Sequence, residues 1–141
     1  MNIYLDVDGV LLTRDGVPAQ RVEDFLSRIT SQHDCYWLTT HCKGNERTVL
    51  TTIMERFPQS AWTDLKRIKP TNWNTWKTEA IDFASDFRWI DDCVFKEERL
   101  TLRKHQVEDK LMLVNLDKNP EQLWEMVNDD PFLTMVYEEK R

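Results

Sequence analysis

Residues 3–11 read Ile-Tyr-Leu-Asp-Val-Asp-Gly-Val-Leu, an apolar run interrupted by two aspartates and a glycine. A strand rises roughly 3.3 Å per residue and alternates its faces, so Asp6 and Asp8 fall where a buried strand emerges into a loop. Carboxylates are rarely buried without a partner, and an ion pair or a metal is the usual remedy. Two residues apart, their side chains share a face. The spacing therefore suits a divalent cation beside a reactive carboxylate, with Asp6 as the first candidate.

The chain has 141 residues, 40% hydrophobic and 31% charged, a balance that fits one globular domain over 1–141 with a single sizeable core. A formal charge of −6 disfavours a general nucleic-acid binder, whose affinity comes from Lys and Arg on phosphates. No apolar stretch approaches the ~20 residues of a membrane span, and the N-terminus lacks a basic segment with a cleavage site, so a cytoplasmic protein is expected. Cys35, Cys42 and Cys93 form no CxxC pair and read as reduced thiols.

Strand and helix patterns alternate along the chain. Strands are expected at Asn2–Asp6, Tyr36–Leu38, Phe87–Ile90 and Leu111–Leu116, with a short one at Ala61-Trp62. Arg14-Asp15-Gly16 signals a tight turn, predicting a small hairpin over Gly9–Ala19. Val22, Phe25, Leu26 and Ile29 share one helical face, placing a helix near 20–31. Further helices are expected at Asn45–Phe57, at Thr75–Ala84, within 94–106, and from Asn119-Pro120-Glu121, with Asn as N-cap and Pro at the first helical position. This order predicts an α/β domain: a three-layer, Rossmann-like parallel sheet with helices on both faces.

In such sheets the ligand site lies at the carboxyl ends of the strands. There the first strand ends on Asp6 and Asp8, the second on Thr39-Thr40, and the third on Asp91-Asp92. Four aspartates gathered at one edge repel one another unless a cation offsets them. Oxygen ligands select a hard ion, and magnesium takes one or two carboxylates together with a substrate phosphate. The anion then needs a hydroxyl, from Thr39 or Thr40, and a cation, from Lys77, Lys69 or Lys66. Thr39 is preferred because it directly follows the apolar run. Lys77 is preferred because it opens the expected third helix, where backbone N–H groups also favour anions.

These residues resemble the haloacid dehalogenase superfamily of aspartate-nucleophile phosphohydrolases. The matching motifs, in order, are Asp6-Val-Asp8-Gly9-Val10, Leu38-Thr39, Lys77 before Thr-Glu-Ala-Ile, and Trp89-Ile90-Asp91-Asp92. The resemblance implies Asp6 as nucleophile, Asp8 as general acid and base, and Thr39 and Lys77 on the phosphoryl oxygens. It implies Mg2+ held by Asp6, the Asp8 main-chain carbonyl and Asp91, with Asp92 either binding the ion directly or lying just behind its ligands. It also implies two places for a cap domain, after the first motif and between the second and third. Neither segment is long enough to hold one, so a small capless member is expected. Its open site would admit a large substrate, or take a lid from a short loop or a second copy of the chain.

Within that resemblance three functions are distinguished. A magnesium-dependent phosphomonoester hydrolase acting on a phosphorylated small molecule or macromolecule leads. Carbon–halogen hydrolysis needs no acid at the second aspartate, so Asp8 argues against it. A magnesium- and phosphate-binding module with little turnover is the alternative. His41 beside the threonines is readable as a catalytic base, which the family chemistry does not require, or as a loop residue touching the site wall, the preferred reading; Cys42 and Cys93 read as packing. Trp62, Trp73 and Trp76 are either core or a pocket wall that stacks on substrate.

Overall fold

The computed structural model describes residues 1–42, 44 and 46–129. Four strands, β1 (Asn2–Leu5), β2 (Asp34–Trp37), β3 (Phe87–Asp91) and β4 (Leu111–Leu113), form one parallel sheet in the order β2-β1-β3-β4. Tyr4 pairs with Tyr36 on one side and Trp89 on the other. Helices α1 (Val22–Gln32), α2 (Glu46–Ile53), α3 (Trp62–Lys66) and α4 (Lys96–Lys104) lie in the crossovers, and α5 (Gln122–Asp129) follows the last strand.

The period of two along β1 sorts its side chains between two cores. Ile3 and Leu5 join Phe25, Ile29, Val49, Leu65 and Leu123, so α1, α2, α3 and α5 cover one face. Tyr4 joins Trp89, Phe87, Leu102 and Ile81 beneath α4 on the other. Every residue of β3 is buried, as a central parallel strand requires. Arg88 survives there because its guanidinium meets Asp86 at 3.0 Å.

Several expectations are corrected. The hairpin over 9–19 contains isolated bridges instead of strands: Leu12 faces Pro18, and the Thr13 and Ala19 amides bond to Val17 and Leu11. Gly16, at φ +81°, turns the loop back as expected. The strand expected at Ala61-Trp62 is absent: Ala61 closes a 3-10 turn over Gln59–Ala61 and Trp62 opens α3, its indole donating back to the Met54 and Phe57 carbonyls. Extended pairing comes later, where Lys69 bridges Tyr36.

The helix expected at Thr75–Ala84 shrinks to a 3-10 turn at Lys77–Ala80. Glu79 takes the amides of Asn74, Thr75 and Trp76, the Tyr4 hydroxyl takes that of Asp82, and Asp82 caps Ala84. These bonds compete with helical ones. β4 stops at Leu113, three residues early, and α5 begins at Gln122, with Asn119-Pro120-Glu121 in the turn before it. The expected second helix runs as α over Glu46–Ile53 and as a 3-10 turn over Met54–Arg56, and its expected first residue, Asn45, lies outside the described residues. No helix among the described residues is long and apolar enough to cross a membrane.

Candidate functional site

Three strand ends converge at the carboxyl edge of the sheet. β1 delivers Asp6, β3 delivers Asp91 and Asp92, and the turn after β2 delivers Thr39 and His41. One oxygen each from Asp6, Asp91 and Asp92 lie within 4.8 Å of one another. Lys77 reaches into this cluster, with Nζ 2.8 Å from Asp91 Oδ2 and 3.5 Å from Asp6 Oδ1. The other lysine candidates are placed elsewhere: Lys69 pairs with Asp34 at the opposite edge, and Lys66 is exposed at the end of α3.

Asp91 is the anchor. Its Oδ2 accepts from Lys77 and, at 3.1 Å, from the Trp89 indole; its Oδ1 accepts the Asp92 and Cys93 amides at 2.8 and 3.2 Å. Four donors meet the roughly four lone-pair directions of a carboxylate. Asp6 and Asp92 carry fewer donors, so their oxygens are better placed to take a cation than those of Asp91.

Charge counts agree with that division. Among the described residues, three carboxylates face one ammonium. Burial first, and then the Asp6 carboxylate, pushes Asp91 up to about 6, against an ordinary value of 3.8. Burial also raises Asp6, against the pull of Lys77, and raises Asp92, with Asp91 adding to it. Burial alone would lower Lys77, but Asp6 and Asp91 outweigh it and hold the ammonium above its ordinary value. An excess of two negative charges in a partly buried site fits one divalent cation, with oxygen donors of the kind magnesium prefers.

This excess predicts a pH dependence. The raised Asp91 binds its proton more tightly folded than unfolded, so its contribution to stability is greatest below pH 3.8 and falls as pH rises to about 6. The loss is on the order of 3 kcal/mol. Urea unfolding in chelator should show stability falling across this window, and millimolar Mg2+ at pH 7 should restore it. A flat profile in chelator would contradict the charge count.

Gly9 shapes the cation side. At φ +82° it turns the chain directly after Asp8, and a Cβ there would lie 2.2 Å from Asp92 Oδ2. Gly9→Ala is therefore expected to lower stability by roughly 2 kcal/mol, from the left-handed backbone and the displaced carboxylate. Calorimetry should also show weaker Mg2+ binding; unchanged binding would count against Asp92 as a ligand. A cleft of about 200 Å³ opens beside Gly9 and Asp92, walled by Arg14 and by Asn115, Leu116 and Asp117 beyond β4.

The Asp8 carboxylate stands apart from the acidic cluster: it is largely exposed, and its Oδ2 meets His41 Nε2 at 2.8 Å. Of the threonines, Thr39 is fully buried and Thr40 exposed. Thr39 Oγ1 accepts the His41 amide at 3.3 Å, leaving its own O–H free to donate.

The amides expected to assist Lys77 are already engaged. Glu79 holds those of residues 74–76, and the buried Glu98 accepts the Lys77 amide at 2.8 Å and the Phe95 amide at 2.9 Å. Lys77 thus meets the cluster through its ammonium and not through its amide. Glu98 was not among the expected site residues. Its signal was its place three residues after Phe95, where a helix's third residue reaches back to the N-cap.

The tryptophans divide. Trp62 packs on the first core and Trp73 is buried in the second, while Trp76 stands beside Lys77, edge-on to the exposed Phe95 at 5.7 Å. All three cysteines are free, and burial, followed by the charge of Asp34, pushes the Cys35 thiol up to about 12. The fold and site thus define a parallel α/β protein with an acidic cluster at its carboxyl edge and, among the described residues, Lys77 reaching into it. No protein-family model, curated protein or solved structure matches the chain.

Proposed function

We propose that this chain is a magnesium-dependent phosphomonoester hydrolase of the haloacid dehalogenase type, working through an aspartyl-phosphate. The observation that carries the reading is the pairing of one ammonium with three carboxylates at the carboxyl edge of the sheet. Such a site is short of positive charge until a divalent cation binds, and an incoming phosphate would need that cation to offset the carboxylates.

In this reading Asp6 and Asp92 would hold Mg2+, with the Asp8 main-chain carbonyl. Asp91 keeps Lys77 in place and borders the ion. The bound ion would draw charge from the phosphoryl oxygens and screen the carboxylates from the incoming phosphate. Asp6 attacks phosphorus, and the bond to the leaving oxygen breaks as Asp8 gives that oxygen its proton. Water then attacks the aspartyl-phosphate, passing its proton to Asp8 and releasing inorganic phosphate. Thr39 and Lys77 hold the phosphoryl oxygens as their charge shifts.

The three free thiols suit a cytoplasmic setting. Turnover of p-nitrophenyl phosphate with and without Mg2+ tests the proposal. Metal-dependent release of nitrophenol is expected. Its absence across a broad panel of phosphomonoesters would favour the binding module instead.

A further inference from the structure

Asp8 is called on to protonate a leaving group, yet its side chain is 64% exposed and lies outside the acidic cluster. A free aspartate there would sample several rotamers. Its one hydrogen bond among the described residues is to His41, which follows β2. β2 and β3 lie on opposite sides of β1. The contact therefore draws the Asp8 carboxyl toward the β2 side, away from Asp92 and from the cleft walled by Arg14 and Asp117. The main chain of His41 is tied in turn to Thr39 Oγ1. One residue thus links the phosphate-binding hydroxyl to the acid.

We infer that His41 is a positioning residue that aims Asp8 at the leaving oxygen, and that the leaving alcohol sits on the β2 side of the site. This rests on the hydrolase reading. With Nε2–H donated to Oδ2, the proton to be transferred sits on Oδ1. When Asp6 attacks and the bond from phosphorus to the leaving oxygen breaks, that proton passes to the oxygen. Asp8 is left as a carboxylate, still held by His41, and recovers its proton from the attacking water.

The dependence on leaving group separates aim from general support. An activated phenolate departs without help, whereas a poor leaving group needs the acid. kcat/KM is the quantity to compare, because it covers the steps up to release of the alcohol and omits hydrolysis of the phospho-enzyme. The esters are 2,4-dinitrophenyl, p-nitrophenyl and phenyl phosphate, each with Mg2+. His41→Ala is expected to lose about 30-fold on phenyl phosphate and less than about threefold on the dinitrophenyl ester. His41→Gln, whose amide can still donate to Asp8, should recover most of the loss.

An equal loss on all three esters, or none on any, overturns the role of His41 and leaves the hydrolase standing. A wild-type chain that cleaves none of the three overturns both. Melting curves matching wild type are expected for the two variants. A uniform loss with a lowered melting point would mark His41 as structural and likewise overturn the inference.

Discussion

Asp6→Asn loses Mg2+-dependent turnover of p-nitrophenyl phosphate by at least about 10³-fold, the scale on which removal of a nucleophile acts. The same variant, in chelator at pH 7, unfolds at no lower urea concentration than wild type. Asp6 is buried and its neutral form is favoured by that burial, so an uncharged amide relieves repulsion within the cluster. Loss of activity together with maintained or raised metal-free stability distinguishes the nucleophile from a structural carboxylate. Substantial residual turnover would remove Asp6 from the chemistry and the aspartyl-phosphate with it.

Lys77→Met also loses turnover but has the opposite effect on stability. The ammonium is the one cation within reach of Asp6 and Asp91 among the described residues, and its side chain is 13% exposed. Removing one partner of a buried ion pair costs about 3 kcal/mol or more, because the charges left behind lose their compensation. Here two carboxylates are left, so the loss should appear in chelator at pH 7.5 and shrink toward pH 5 as they take up protons. Added Mg2+ should recover part of it. Turnover should fall by roughly 10²-fold through loss of a donor to the phosphoryl oxygens. Unchanged stability in chelator would mean that the cluster is compensated by something other than Lys77.

The elements most legible in the sequence were those whose periodicity meets a core directly. α1 follows from Val22, Phe25, Leu26 and Ile29, all buried. β1 and β3 follow from apolar runs that stop on aspartates. The segment 58–85 was read least well, because its shape is set by side chains far apart in sequence. Tyr4 holds Asp82 across the sheet, and Glu98 of α4 holds the amide of Lys77. No local window contains such pairs, and the pattern around Lys77-Thr-Glu-Ala-Ile is helical until they are added.

The site divides in the same way. Asp6, Asp8, Thr39, Lys77, Asp91 and Asp92 could be named from the chain alone, because polar residues ending buried strands of a parallel sheet must gather at one edge. Which of them work together was decided by distance. Tertiary packing gave Lys77, and neither Lys66 nor Lys69, to the cluster. It saturated Asp91 with donors and left the oxygens of Asp6 and Asp92 with fewer. It carried the Asp8 carboxylate out of the cluster to His41, a residue the sequence placed in the site wall.

The sequence by itself thus determined a parallel α/β sheet and the edge at which its strand-end charges gather, since hydrophobic periodicity and strand-end charge are local properties. The strand order came with the tertiary structure. The tertiary structure alone decided which charge compensates which. Electrostatic coupling depends on separations of a few ångströms between residues dozens of positions apart.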